Sequence, residues 1–374
     1  MQSRRNKIAD ILSAAIFAAL SAVLLLANNP ADEARVQKLK AEVVEVDNSP
    51  VERLGLLTQG AQHLKVKMRQ GRDKGKIYRA ENILRAQLDL DKIFEVGDNA
   101  LVAFPPDADA ATTILHAQNF YRVDLAIMLT ALFALLLALF AGWTGLKAMI
   151  SFVFAAAFVW KVVVPACLSG ANAIVVCFAA VAALTFVIIF LVGGFSRKAT
   201  TAFVGAMAGV GASCLMAIIF TRLFHINGAV MPFSQALLYS GREFLSLSDL
   251  FIGGLFLSSS GAVMDLAMDV AAGQQEVFLH NPHISRTTLA ISGWKIGKSV
   301  VGTMTTTLLL AYSGGYLTLI MAFTAENVSP TDFLCNPYVS SELVKTIIGS
   351  FGLVLVAPFT AVIGGILIPK KSAK

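Results

Sequence analysis

Asp265 and Asp269 stand four residues apart in "GAVMDLAMDV", residues 261–270, one of the most apolar stretches of the chain. On a helix this spacing puts both carboxylates on one face, on adjacent turns. Two like charges so placed repel each other. The pair is stable if one carboxyl keeps a proton, if a cation binds both, or if a basic side chain pairs with them. All three are the chemistry of ion binding and proton exchange. The next apolar segment, "GWKIGKSVVGTMTTT", supplies Lys295 and Lys298, then Ser299, Thr303 and Thr306 as a hydroxyl stripe at helical spacing. Two such helices facing each other would enclose one polar pocket. Asp265 is then the cation or proton site, Asp269 and Lys298 are coupled partners, and the hydroxyls line the pocket. Gly261, Gly297 and Gly302 are expected where helices approach closely. The plainer reading makes Asp269 solvated, Asp265 half of a structural ion pair, and the hydroxyls bonded to their own helix.

Composition says what must position these residues. Apolar residues make up 56% of the 374 and charged residues 14%, with mean hydropathy +0.70. Soluble domains hold about 45–50% apolar and about 25% charged residues, so the chain reads as a membrane protein. The net charge of +6 is scattered between apolar runs, which suits topology signals and excludes a nucleic-acid face. No GxSxG, HExxH or P-loop is present, so the reading is of a non-enzyme without a cofactor. Glu276, His280 and His283 in "EVFLHNPHISRTT" have ligand-like spacing, but Asn281–Pro282 between them reads as the N-cap and first turn of a short helix; no metal site is assigned. Cys177 and Cys214 read as small hydrophobes. Cys167 and Cys335 fall on one side of the membrane in the topology below, which leaves a disulfide between them open.

The basic start and the apolar run from Ile8 to Ala27 read as an uncleaved first span, with signal-peptide cleavage as the rival. Residues 28–122 change character. Val66 and Met68 alternate with Lys65, Lys67 and Arg69, as in a half-exposed strand, and "GRDKGK" reads as a hairpin turn. A small β domain of barrel type is expected there, with a solvated basic surface. Residues 123–374 hold seven more apolar segments, at about 124–142, 148–168, 172–193, 200–222, 247–271, 297–323 and 343–368. Eight transmembrane helices follow. Arg4, Arg5, Lys7, Lys147, Arg197, Lys198, Arg286, Lys295, Lys298, Lys370 and Lys371 mark one side. The positive-inside rule then puts both termini in the cytoplasm and the β domain outside. Lys161, beside Trp160, reads as a snorkelling cation.

"GFSRKATTAFVGAMAG", "SSGAVMDLAMDVAAGQQEV" and "SGWKIGKSVVGTMTTTLLLAYSGG" resemble the landmarks of the YibE/F-like family of bacterial multispanning membrane proteins, and "GKIYRAENIL" and "VGDNALV" are similar too. The resemblance implies an inner-membrane permease or other membrane component. It matches Asp265, Gly302, Thr303, Met304 and Thr305 to family-typical positions. Relatives tend to carry an acid at the place of Ser299 and Asn at that of Thr306, and a small polar residue where this chain has Asp269. A shift of negative charge between neighbouring helices is implied. The function expected is secondary transport or export of a small solute or ion. The alternative is a scaffold or sensor acting through the β domain, as a homo-oligomer or with an envelope partner.

Overall fold

The computed structural model describes residues 2–26 and 36–369, with side chains from residue 11 onward. The candidate cleavage point and Lys370 and Lys371 lie outside the described residues. The chain divides into two compact units, residues 27–140 and residues 1–26 with 141–374.

The first unit holds six strands: β1 (Gln37–Asp47), β2 (Glu52–Leu54), β3 (Leu57–Met68), β4 (Ile77–Arg85), β5 (Asn99–Phe104) and β6 (Ile114–Phe120). Hydrogen bonding runs β1-β5-β6-β4-β3 and closes through β1–β3, leaving β2 as an appendage of β3. All pairings are antiparallel except β4 with β6. A closed five-stranded ring with one parallel pair is the strand order of an OB-type Greek-key barrel, which fixes a fold and not a ligand. Alternation builds its core: Val66, Met68, Tyr78, Ala80, Val102 and Phe104 point in, while Lys65 and Arg79 stay out. Two buried amides close one end. Gln62 Nε2 donates to the Phe94 carbonyl and its Oε1 accepts from Phe94 N, while Asn82 Nδ2 donates to Gln62 Oε1 and to the Lys92 carbonyl. These bonds pin residues 92–94 over the barrel.

The helices are α1 (Gln2–Leu26), α2 (Val123–Phe158), α3 (Val164–Leu168), α4 (Ala173–Gly193), α5 (Arg197–Leu223), α6 (Ser234–Tyr239), α7 (Leu247–His280), α8 (Arg286–Gly314), α9 (Leu317–Ala325), α10 (Pro330–Cys335) and α11 (Pro337–Leu367). Side-chain caps start six of the described helices: Asn172, Ser196, Ser246, Ser285, Ser329 and Asn336 each accept a first-turn N–H. Among the described residues five helical stretches are long and apolar enough to cross a membrane, or six if α8 and α9, bent by 64°, form one span. One stretch, Val123–Leu168, has 46 residues and would be about 69 Å long, over twice a hydrocarbon core of about 30 Å. It covers two of the expected spans. Gly142 breaks it with φ 55° and ψ −128°, a conformation open only to glycine. Before Pro165 the helix widens into a π-turn at Val159–Val163, because the proline offers no N–H to the regular ladder.

The core of the second unit is a bundle of α4, α5, α7, α8 and α11. Close approaches fall at Gly205 against Thr360, Gly209 against Val356, Gly253 against Cys177, and Gly297 against Ala357 and Val270. Gly261 and Gly302, expected where helices approach closely, meet nothing within 4 Å. Lys147, expected in a loop, is helical and buried, because the helix resumes directly after Gly142. The chain turns at residues 281–284, and Asn281 ends α7 rather than starting a helix. All four cysteines are free; Cys167 is buried and Cys335 is exposed.

Candidate functional site

Length and depth come first. α7 runs past the expected end near residue 271 to His280, so Asp265 lies at its middle and Asp269 about three turns before its end. α8 starts at Arg286, not near 297. Lys298 is therefore well inside a helix. Gly297 sits against Val270, which places Lys298 level with Asp269 on an antiparallel neighbour. Level is not paired: among the described residues no ion pair joins Asp265, Asp269 or Lys298 to any partner.

Both carboxylates lie on one exposed stripe of α7, through Gly254, Ser258, Gly261, Asp265 and Asp269. From Leu247 to Phe278 that helix exposes no large apolar side chain. On α8 the residues from Lys298 to Thr307 behave alike: Lys298, Ser299, Gly302, Thr303, Thr306 and Thr307 are exposed, and no large hydrophobe is. α2 is the contrast, exposing Leu125, Ile127, Met128, Leu129, Leu136 and Phe140. Each hydroxyl of the α8 stripe satisfies itself locally. Ser299 donates to the Ile296 carbonyl at 2.7 Å, Thr303 to Val300 at 2.9 Å and Thr306 to Gly302 at 3.1 Å. Their oxygens retain acceptor capacity toward the exposed side.

Residues outside the expected set complete the polar face. Ser258 and Tyr312 hydroxyls meet at 2.8 Å across α7 and α8. Further along, the Lys345 ammonium donates to Glu342 at 2.6 Å and lies over the Phe251 ring at 5.2 Å. Glu342 and Tyr316 border a cleft of about 520 Å³, and Glu342 Oε2 is buried. The expected last span, 343–368, leaves Glu342 just outside it; Asn336–Pro337, a cap followed by proline at N1, is the signal that α11 begins earlier.

The bundle behind the face is held by Gln274, which is fully buried and donates to the carbonyls of Leu289 and Ala361. One amide thus ties α7 to α8 and α11, and Gly293 and Gly364 leave it room. Glu276 and His280 contact each other on the last turn of α7, with the ring nitrogen 3.5 Å from the carboxylate. Among the described residues no three His, Cys, Asp or Glu side chains gather as a metal site.

A family model described as YibE/F-like protein matches residues 129–370. The match takes in the helical bundle and leaves out the β-barrel. No curated protein and no solved structure matches.

Proposed function

The chain belongs to the YibE/F-like family, and from that premise we propose that it is a secondary transporter or exporter of a small solute or ion, with Asp265 as the cation- or proton-binding group. One observation carries this reading: the exposed stripe of α7 presents two carboxylates and no large apolar side chain. An Asp at the centre of a spanning helix costs about 2.5–3.5 kcal/mol on insertion scales, so such faces border protein or water-filled cavities rather than lipid. Asp269 and Lys298 modulate the charge at one level, and Thr303 and Thr306 offer oxygen ligands beside them. The chemistry needed is reversible binding and release, with no bond made or broken.

The membrane arrangement that goes with this reading has eight spans. The Gly142 break counts as a turn within Val123–Leu168, α8 with α9 counts as one span, and α1 supplies the first. Both termini then face the cytoplasm of a bacterium and the barrel faces outward.

The test is a stability screen on the purified full-length protein across alkali, divalent and organic cations and across pH. A ligand present at 100 times its Kd adds about 2.7 kcal/mol to the native state. Wild type should gain stability with one cation class or with acid, and Asp265→Asn should not. Proteoliposome flux of the stabilising ion then follows. No shift for wild type with any cation, or equal shifts in Asp265→Asn, defeats the reading. The second reading is a scaffold or sensor; the separate, self-contained barrel core supports it. It expects no flux and a phenotype that follows substitutions in the barrel.

A further inference from the structure

At one end of the helical unit α4, α7 and α11 finish while α5 and α8 begin, and a cleft of about 1010 Å³ opens between them. Arg197, Lys198 and Arg286 border it together with His283, and among the described residues its lining contains no Asp or Glu. Among the described residues none of these three cations has an ion-pair partner. Arg197 gives one N–H to the Ile368 carbonyl at 3.4 Å, which fixes its arm and leaves the other donors of its fork. Glu276, the nearest acid in sequence, is in contact with His280 and does not line the cleft.

Three like charges around one concavity repel unless an anion shares the space. The cleft has the size of a small-ligand site. Arginine forks suit tetrahedral oxyanions, and the starting ends of α5 and α8 add positive dipole to the same place. Helix ends also lie at the depth of lipid phosphates, where basic pockets between spans hold headgroups. We propose that this cleft binds a phosphate group, supplied by the headgroup of an anionic phospholipid or by a free phosphate-bearing solute. The site lies apart from Asp265 and does not depend on its role.

The experiment uses the full-length protein in a neutral detergent. Dioleoyl phosphatidylglycerol, dioleoyl phosphatidylcholine and inorganic phosphate at matched ionic strength are added separately, and thermal unfolding and native mass spectrometry are read. Phosphatidylglycerol should stabilise the protein and stay bound where phosphatidylcholine does not. Lys198→Gln with Arg286→Gln should weaken that binding on the order of tenfold or more, while Lys295→Gln, a cation outside the cleft, should not. Stabilisation by phosphatidylglycerol alone identifies a lipid site. Stabilisation by inorganic phosphate, lost in the double variant, identifies a solute site. Equal effects of the two lipids with none from phosphate, or unchanged binding in the double variant, overturns the proposal. Should the double variant not fold, a photoactivatable phosphatidylglycerol replaces it: adducts must map to residues 193–198 or 282–286, and adducts elsewhere overturn it equally.

Discussion

Ser258 Oγ and Tyr312 Oη lie 2.8 Å apart and join α7 to α8 on the same face as Asp265. The bond closes the polar stripe at one end, two turns from the carboxylate. Interhelical hydrogen bonds in membrane proteins average about 0.6 kcal/mol. Tyr312→Phe should therefore fold with a loss near that size, yet weaken any cation-dependent stabilisation several-fold if the stripe is the binding surface. Unchanged cation response in Tyr312→Phe would restrict the site to Asp265 and Asp269.

Gly364 sits where a Cβ would be 1.9 Å from Gln274 Oε1. Overpacking at such a contact costs about 1–3 kcal/mol, and the displaced amide would also lose bonds to Leu289 and Ala361. Gly364→Ala should lower the unfolding midpoint clearly. Gly211→Ala, which meets nothing within 4 Å, should leave it unchanged. Equal behaviour of the two would mean that the Gln274 clasp does not hold the bundle.

Glu342 and Lys345 are only 12% and 20% exposed in their side chains. Removing one partner of a buried pair costs about 3–5 kcal/mol, less where water reaches it. Glu342→Gln and Lys345→Met should each destabilise, and the double variant should recover much of the loss. A double-mutant cycle with strictly additive losses would show the two charges to be independent.

Asp73, in the turn between β3 and β4, belongs to the barrel and not to a membrane-spanning segment. Its hydrogen bonds from Lys76 and then from the Tyr78 hydroxyl hold its carboxyl below the usual carboxylate range. Burial, and then Asp73 itself, push the Tyr78 phenol up to about 12. A depressed carboxyl contributes stability above its unfolded value of about 3.9, and that contribution disappears as pH falls through the folded value. The gap in barrel stability between wild type and Asp73→Asn should be constant near neutrality and close below about pH 4. A gap that persists into strong acid would rule out this linkage. Tyr78 works in the opposite sense: its contribution is complete below about pH 10 and fades towards 12.

The proposed eight-span arrangement makes a sided prediction. A cysteine in place of Lys74, in the β3–β4 turn, should react with an impermeant thiol reagent added to intact cells. One in place of Lys198, at the start of α5, should react only after permeabilisation. The same labelling of both would break the arrangement. Gly142→Ala should cost about 1–3 kcal/mol, the usual strain of a residue held in a disfavoured conformation.

By itself the sequence determined what depends on local pattern and solvent. Long apolar runs announced the membrane-crossing character, period-2 alternation around Val66 and Met68 announced a barrel-type domain, and the motifs around Asp265 announced the family that the match over residues 129–370 bears out. Four-residue spacing alone put Asp265 and Asp269 on one face. Tertiary structure decided the rest, because helix ends and neighbours depend on caps and on contacts far along the chain. Ser246 and Asn281 set the true length of α7 and moved Asp265 to its middle. Ser285 started α8 eleven residues before its apolar run and carried Lys298 inward, level with Asp269 but not paired with it. Tyr312 and Gln274 could not be recognised from spacing, since their partners lie on other helices, whereas Glu342 pairs with Lys345 three residues along α11. Which glycines pack was likewise a property of the neighbour: Gly297 meets Ala357, while Gly261 and Gly302 face open space.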